Sequence, residues 1–269
     1  MTDSLVFGPG RPLIMGHRGD LSTAPENTIQ AFKSALKAGV DFLESDVRIT
    51  LDNELVLFHD DDMERTTGES GSVGERTLEE LRQLDFGKMF TWDGFTYPFR
   101  NKGMTILTLR EAFEELPDVK FNLDMKDLDL RTPKLLADII DDYDRRDSVV
   151  VASFNPIQMK RFRENMPNAI TSAHPGEVWN FVYGTKLRAV TLFSRNIHYQ
   201  AFQVPIKYGA LTVVNERFIE QAHKRGIAVH VWTINERDEM EWLIELDVDG
   251  IFTDEAALMR EILSEKGLL

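Results

Sequence analysis

Phe42-Leu43-Glu44-Ser45-Asp46-Val47-Arg48 is the stretch from which the rest of the chain can be read. Successive side chains of a strand point to opposite faces. As a strand, 42–48 carries Glu44 and Asp46 on one face and Leu43, Ser45 and Val47 on the other. Two adjacent carboxylates repel unless a proton or a cation lies between them. A hard divalent ion with oxygen ligands is the natural neutraliser. Upstream lies Gly16-His17-Arg18-Gly19, and downstream Phe58-His59-Asp60. Arg18 offers a planar fork suited to phosphate oxygens. The two histidines titrate near neutrality and suit proton transfer. These parts fit the cleavage of a phosphate ester.

Outward from 42–48, the chain alternates short apolar runs with helical patterns. Strands are predicted at 12–16, 42–48, 119–125, 148–153, 169–173, 200–205, 227–232 and 248–252. A short extra strand at 55–58 delivers His59. Ile29, Phe32 and Leu36 recur at helical spacing, with Gly39 as the stop. Further helices are expected at 108–116, 133–143, 156–165, 216–225, 236–246 and 256–264, with irregular chain and some helix over 176–199. Alternating β and α elements imply a parallel sheet. Strands buried on both faces read as continuous apolar runs, as Val149-Val150-Val151-Ala152 does. The count favours a closed TIM-type (β/α)8 barrel over an open doubly wound sheet.

Residues 61–105 break this rhythm and read as an insertion after the second strand, within a single domain spanning 1–269. Its aromatic residues, Phe86, Phe90, Trp92, Phe95, Tyr97 and Phe99, have two readings. One is a small core for the insertion itself. The other is an apolar wall for the alcohol or lipid part of a substrate.

A chain of 269 residues suits one such barrel. The net charge of −14 opposes non-specific nucleic-acid binding and charge-driven docking on anionic membranes. It also requires a locally positive site for any anionic substrate. No apolar run approaches membrane-spanning length. The N-terminal residues show no basic or apolar signal pattern, which sets the expectation of a cytoplasmic protein. With no cysteines, disulfide and thiolate chemistry are excluded. The sequence does not specify an oligomeric state.

A resemblance adds to these readings. The chain resembles the glycerophosphodiester phosphodiesterase family, on a set of motifs in order. They are Gly-His-Arg-Gly at 16–19, Pro-Glu-Asn-Thr at 25–28, Glu44-x-Asp46, His59-Asp60 and Asp124-x-Lys126, followed by Ser153-Phe154, Trp232-Thr233-x-Asn235 and Asp249-Gly250-x-x-Thr253-Asp254. Each string alone is weak; the ordered set is strong. It implies a TIM-type barrel, one divalent cation (Mg²⁺, Ca²⁺ or Mn²⁺) and hydrolysis of a small glycerophosphodiester to an alcohol and glycerol 3-phosphate. It implies His17 and His59 as the acid/base pair, either suiting either role.

Glu44, Asp46 and Asp124 are the expected metal ligands, and Arg18 and Lys126 the phosphate contacts. The family usually has glutamate where this chain has Asp124; the shorter side chain could shift the ion, bind through water or change metal preference. Glu26 reads either as part of a helix start or as a partner orienting Arg18. Trp232 and Ser153 read as rim packing with substrate contact. Asn235 reads as a loop residue or cap, and Asp254 equally as a helix start or a site residue. His230 reads as a hydrogen-bonded barrel residue and His223 as a cation near a helix C-terminus. His174 and His198 lie in loops with no assigned role. Rival functions are a lysophospholipase D, a cyclic-phosphate-forming phospholipid cleavage, a metal-dependent lyase or isomerase, and a non-catalytic phosphate sensor.

Overall fold

Seven strands form a continuous parallel sheet in a computed structural model that describes residues 5–187 and 197–269. In chain order the strands are β1 (Leu13–His17), β2 (Phe42–Ile49), β3 (Leu55–Leu57), β4 (Phe121–Met125), β5 (Val149–Ala152), β6 (Ala201–Val204), β7 (Lys207–Tyr208), β8 (Leu211–Thr212), β9 (Ala228–Val231) and β10 (Gly250–Thr253). The parallel path runs β5-β4-β2-β1-β10-β9-β6. Thr171 bridges Val151 of β5, and Ser172 bridges Ala201 of β6, both in parallel sense. Those two residues close the ring.

The stave expected over 169–173 is therefore present only as single bridges. Side chains take its remaining backbone groups. Thr171 N–H donates to Gln200 Oε1 at 2.9 Å, and the Ser172 carbonyl accepts from Arg163 at 3.0 Å. Bonds made that way cannot continue a ladder. The helix expected near 178–183 is longer, Pro175–Lys186, with Pro175 in its first turn. The rest of the irregular stretch expected up to 199 lies mostly outside the described residues.

Strand parity sorts the barrel. On β2, Leu43 and Val47 face out against Phe32, Ala35 and Phe113. Phe42 faces in, beside Met15, Val150, Ala228 and Phe252. Continuing that inward parity toward the C-terminal end gives Glu44 and Asp46 on β2, His17 on β1 and Asp124 on β4. The interior is thus apolar below and charged above. Helix Ile29–Ala38 brings the chain back between β1 and β2. Thr28 caps it by accepting from Ala31 N–H. Gly39 ends it at φ 91°, a left-handed conformation that suits glycine.

β3 lies outside the ring, antiparallel to β2, with Val47 opposite Leu57. This hairpin lifts His59 to the rim. The insertion then builds a small core of its own with Val56, Phe58, Met63, Val73, Leu81, Phe86 and Ile106. Phe90 sits edge-on to both Trp92 and Phe99, at 5.2 and 5.3 Å between ring centroids.

Candidate active site

His17, Arg18, Glu44, His59, Asp124, Lys126 and Trp232 line one cavity of about 510 Å³ at the C-terminal mouth of the barrel. Asp46 is buried beneath it. The register explains the convergence: His17 pairs with Glu44, and Asp46 with Asp124. All these groups share the inward parity and sit near the same height.

Each histidine is held at the same ring nitrogen. His17 Nδ1 lies 2.8 Å from Asp254 Oδ1, and His59 Nδ1 lies 2.7 Å from Asp60 Oδ1. Asp254 is itself fixed by Asn235, whose Nδ2 donates to it at 2.8 Å. Asp60 accepts from Arg65 Nε at 2.5 Å. Both imidazoles therefore keep Nε2 free of these partners. Burial opposes the His17 imidazolium, but the Asp254 hydrogen bond and the Glu44 charge outweigh it and raise its pKa. Asp254, read equally as a helix start or a site residue, contacts His17, and Asn235, read as a loop residue or cap, holds Asp254. Asp60 was visible as the residue after His59. Arg65 carried no signal in the sequence.

The Arg18 backbone adopts φ 55°, with its N–H 3.1 Å from Glu44 Oε2. Its Nη1 donates to Glu26 Oε1 at 3.1 Å. Arg18 Nε is 3.2 Å from Asp46 Oδ2. Lys126 Nζ stands between two carboxylates, 2.6 Å from Asp124 and 3.1 Å from Asp46.

The carboxylates are unequal. Burial and the charge of Asp46 push the Glu44 pKa up to about 7. Burial also acts to raise the Asp46 value, but Lys126 and Arg18 overcome it and hold it below the usual range. For Asp124, burial prevails over Lys126 and the pKa is raised. Asp46 Oδ1 and Asp124 Oδ1 are buried without a hydrogen-bond partner, the Lys126–Asp46 approach being a charge contact only. Orphaned carboxylate oxygens of this kind suit a hard cation. As arranged, however, no three histidine, aspartate or glutamate side chains among the described residues form a ready metal cage. The Lys126 ammonium supplies positive charge between Asp46 and Asp124.

No insertion residue lines the cavity. Its apolar wall comes instead from helix Pro175–Lys186 and from the β7–β8 hairpin, with Trp179, Val182, Tyr208 and Val213. Sequence gave no hint of that placement. Of the other histidines, His230 is a buried barrel residue, donating from Nε2 to the Val6 carbonyl at 2.8 Å. His223 Nε2 lies 2.8 Å from Asp249 Oδ2.

The model of the glycerophosphoryl diester phosphodiesterase family matches residues 17–258. The chain belongs to that family. A glycerophosphodiester phosphodiesterase from Caldanaerobacter subterraneus subsp. tengcongensis is 30% identical, covering 96% of this chain and all of the relative. A human lysophospholipase D is 26% identical over 93% of this chain and 85% of its own length. Among solved structures, a putative glycerophosphoryl diester phosphodiesterase from Silicibacter pomeroyi superposes with a TM-score of 0.80 at 24% identity, covering 99% of this chain and 98% of that one. An Oleispira antarctica phosphodiesterase, solved with sn-glycerol-3-phosphate, gives 0.73 at 22% identity, over 94% and 97%. These likenesses establish the TIM-type barrel. The chain is a phosphodiesterase of this family, acting on small glycerophosphodiesters. No helix among the described residues is long and apolar enough to cross a membrane.

Proposed function

We propose that this phosphodiesterase cleaves glycerophosphodiesters by acid/base catalysis between His17 and His59, with one divalent cation. The observation that carries the reading is the pair of imidazoles on one cavity, each held at Nδ1 by its own aspartate. Binding alone does not require two such groups, which disfavours a phosphate sensor. A lyase or isomerase would leave Arg18 and one histidine without work.

In-line displacement puts the entering and leaving oxygens on opposite sides of phosphorus. One histidine accepts the proton of the nucleophile through Nε2, and the other returns a proton to the leaving alkoxide. Asp254 and Asp60 hold the two rings in orientation. Arg18 and Lys126 take phosphate oxygens. Glu44, Asp46 and Asp124 would hold the cation, with water or substrate completing its shell. When bound, it neutralises charge that grows on the phosphate. Water as nucleophile gives the monoester directly. A glycerol hydroxyl would give a cyclic phosphate first, and product analysis in labelled water separates the two.

The test is a diester panel assayed after chelation and after separate readdition of Mg²⁺, Ca²⁺ and Mn²⁺. Turnover should vanish on chelation and return with at least one ion. Full activity in chelator would remove the cation from the account.

A further inference from the structure

Beneath the reaction centre the cavity meets two uncharged amides. Asn122 on β4 and Gln203 on β6 both line it. Asn122 stands beside Glu44 in the register of β4 against β2, two residues below Asp124. A two-residue step along a strand is about 7 Å, so the amides lie one layer under Asp46 and Asp124. No step of the chemistry above uses them.

The barrel interior fixes how these amides point. Burial lowers the His230 pKa, which leaves the ring neutral. Its Nε2 donates to the Val6 carbonyl at 2.8 Å, so the other nitrogen, Nδ1, is an acceptor. Gln203 Nε2 faces that Nδ1 at 3.5 Å and donates to Asn122 Oδ1 at 2.6 Å. Turning the Gln203 amide over would set its oxygen against the Nδ1 lone pair. The Gln203 amino group is thus used within the barrel. Its Oε1 and the Asn122 Nδ2 have no further partner among the described residues. The floor therefore offers an acceptor and a donor group to the cavity, both without charge. A hydrocarbon or a quaternary ammonium would leave both unpaired, which costs free energy. An ionised phosphate oxygen has no proton for Gln203 Oε1, and a primary ammonium has no lone pair for the Asn122 amide. A hydroxyl donates and accepts, and satisfies both.

We propose that Asn122 and Gln203 read the free terminal hydroxyl of a glycerol whose other end is esterified to the reacting phosphate. The hydroxyl donates to Gln203 Oε1 and accepts from Asn122 Nδ2. The pair is specificity-determining, and His230 is a positioning residue that acts through Gln203. The inference rests on the hydrolytic reading given above.

The experiment compares kcat/KM of the full chain, with its activating cation, for glycerophosphocholine and for the 1-phosphocholine ester of propane-1,2-diol. The second substrate lacks only the terminal hydroxyl. It keeps the hydroxyl next to the ester, so water and that hydroxyl both stay available as nucleophiles. Wild type should favour glycerophosphocholine by at least about tenfold, because the analogue leaves two amide groups without a partner. Gln203→Met and Asn122→Leu should each bring that ratio to within about threefold of one, since at most one of the two hydrogen bonds remains. The ratio is taken within each variant and is independent of how much of it folds. Equal turnover of the two substrates by wild type would overturn the proposal and mark the floor as a water site, while sparing the hydrolytic reading. A preference that both variants keep in full would also overturn it, since the hydroxyl is then read elsewhere. No turnover of any diester would overturn both readings.

Discussion

Arg65 grips Glu26 with two parallel hydrogen bonds, Nη1 and Nη2 each 2.7 Å from one carboxylate oxygen. The same guanidinium holds Asp60, which holds His59, while Glu26 holds Arg18. One arginine of the insertion therefore links an imidazole to the phosphate fork. Its side chain is 52% exposed, so its contribution to stability is small and its role is positional. Arg65→Gln should lower kcat about tenfold or more, within the usual range for misplaced acid/base groups. Asp60→Asn combined with Arg65→Gln should cost less than the product of the single effects. Strict multiplicativity in that cycle would show that Arg65 does not act through Asp60.

Asp254 should matter through His17. Asp254→Asn keeps the size but removes the charge that favours the imidazolium and fixes the tautomer. It should lower the His17 pKa, seen as a downward shift of whichever limb of the pH–rate profile His17 governs, as well as kcat. Asn235→Ala, one step further out, should give a smaller loss of the same kind. An unchanged profile for Asp254→Asn would detach this aspartate from the reaction.

Stability should depend on pH through His223. The Asp249 hydrogen bond raises its pKa against the opposing effect of burial, above the ordinary 6.5. Below that ordinary value the histidine is charged folded or unfolded, and the ion pair contributes fully. The contribution fades as pH rises through the folded value. The melting-temperature gap between wild type and His223→Gln should be wide near about pH 5.5 and narrow near about pH 8.5. A gap that widened with pH would reverse the assigned sign.

Gly19 sits at φ 97°, and a Cβ there would stand 2.7 Å from the Ala31 backbone carbon. Gly19→Ala should therefore cost at least about 1 kcal/mol in denaturant unfolding. It should also disturb Arg18, its neighbour in a left-handed conformation. A variant as stable as wild type would mean that the loop relaxes freely.

The sequence was informative where chemistry and period coincide. Glu44-x-Asp46 and Asp124-x-Lys126 announced their shared face, and the register of β2 against β4 then placed Asp46 beside Asp124. The barrel was legible for the same reason, since apolar runs alternate with helices. It was less legible over 169–173, where Gln200 and Arg163 divert bonds that a full strand would make. Long-range partners left the weakest trace. Asp254 reaches His17 across 237 positions, and no local pattern encodes that contact. The aromatic insertion left two readings open, its own core or a substrate wall, because composition reports apolarity without direction; the structure agrees with the first. Phe90, Trp92 and Phe99 pack on one another, while Trp179 and Tyr208, from unremarked segments, wall the cavity.

The central claim is that His17 and His59 move protons beside a cation they do not hold. The most direct measurement is kcat for His17→Ala and His59→Ala on glycerophosphocholine, with Mn²⁺ affinity followed in parallel by calorimetry. Each variant should lose about 10²- to 10⁴-fold in kcat while its Mn²⁺ affinity stays near that of wild type. Wild-type turnover by either variant, or a loss of activity matched by a loss of metal binding, would contradict the account.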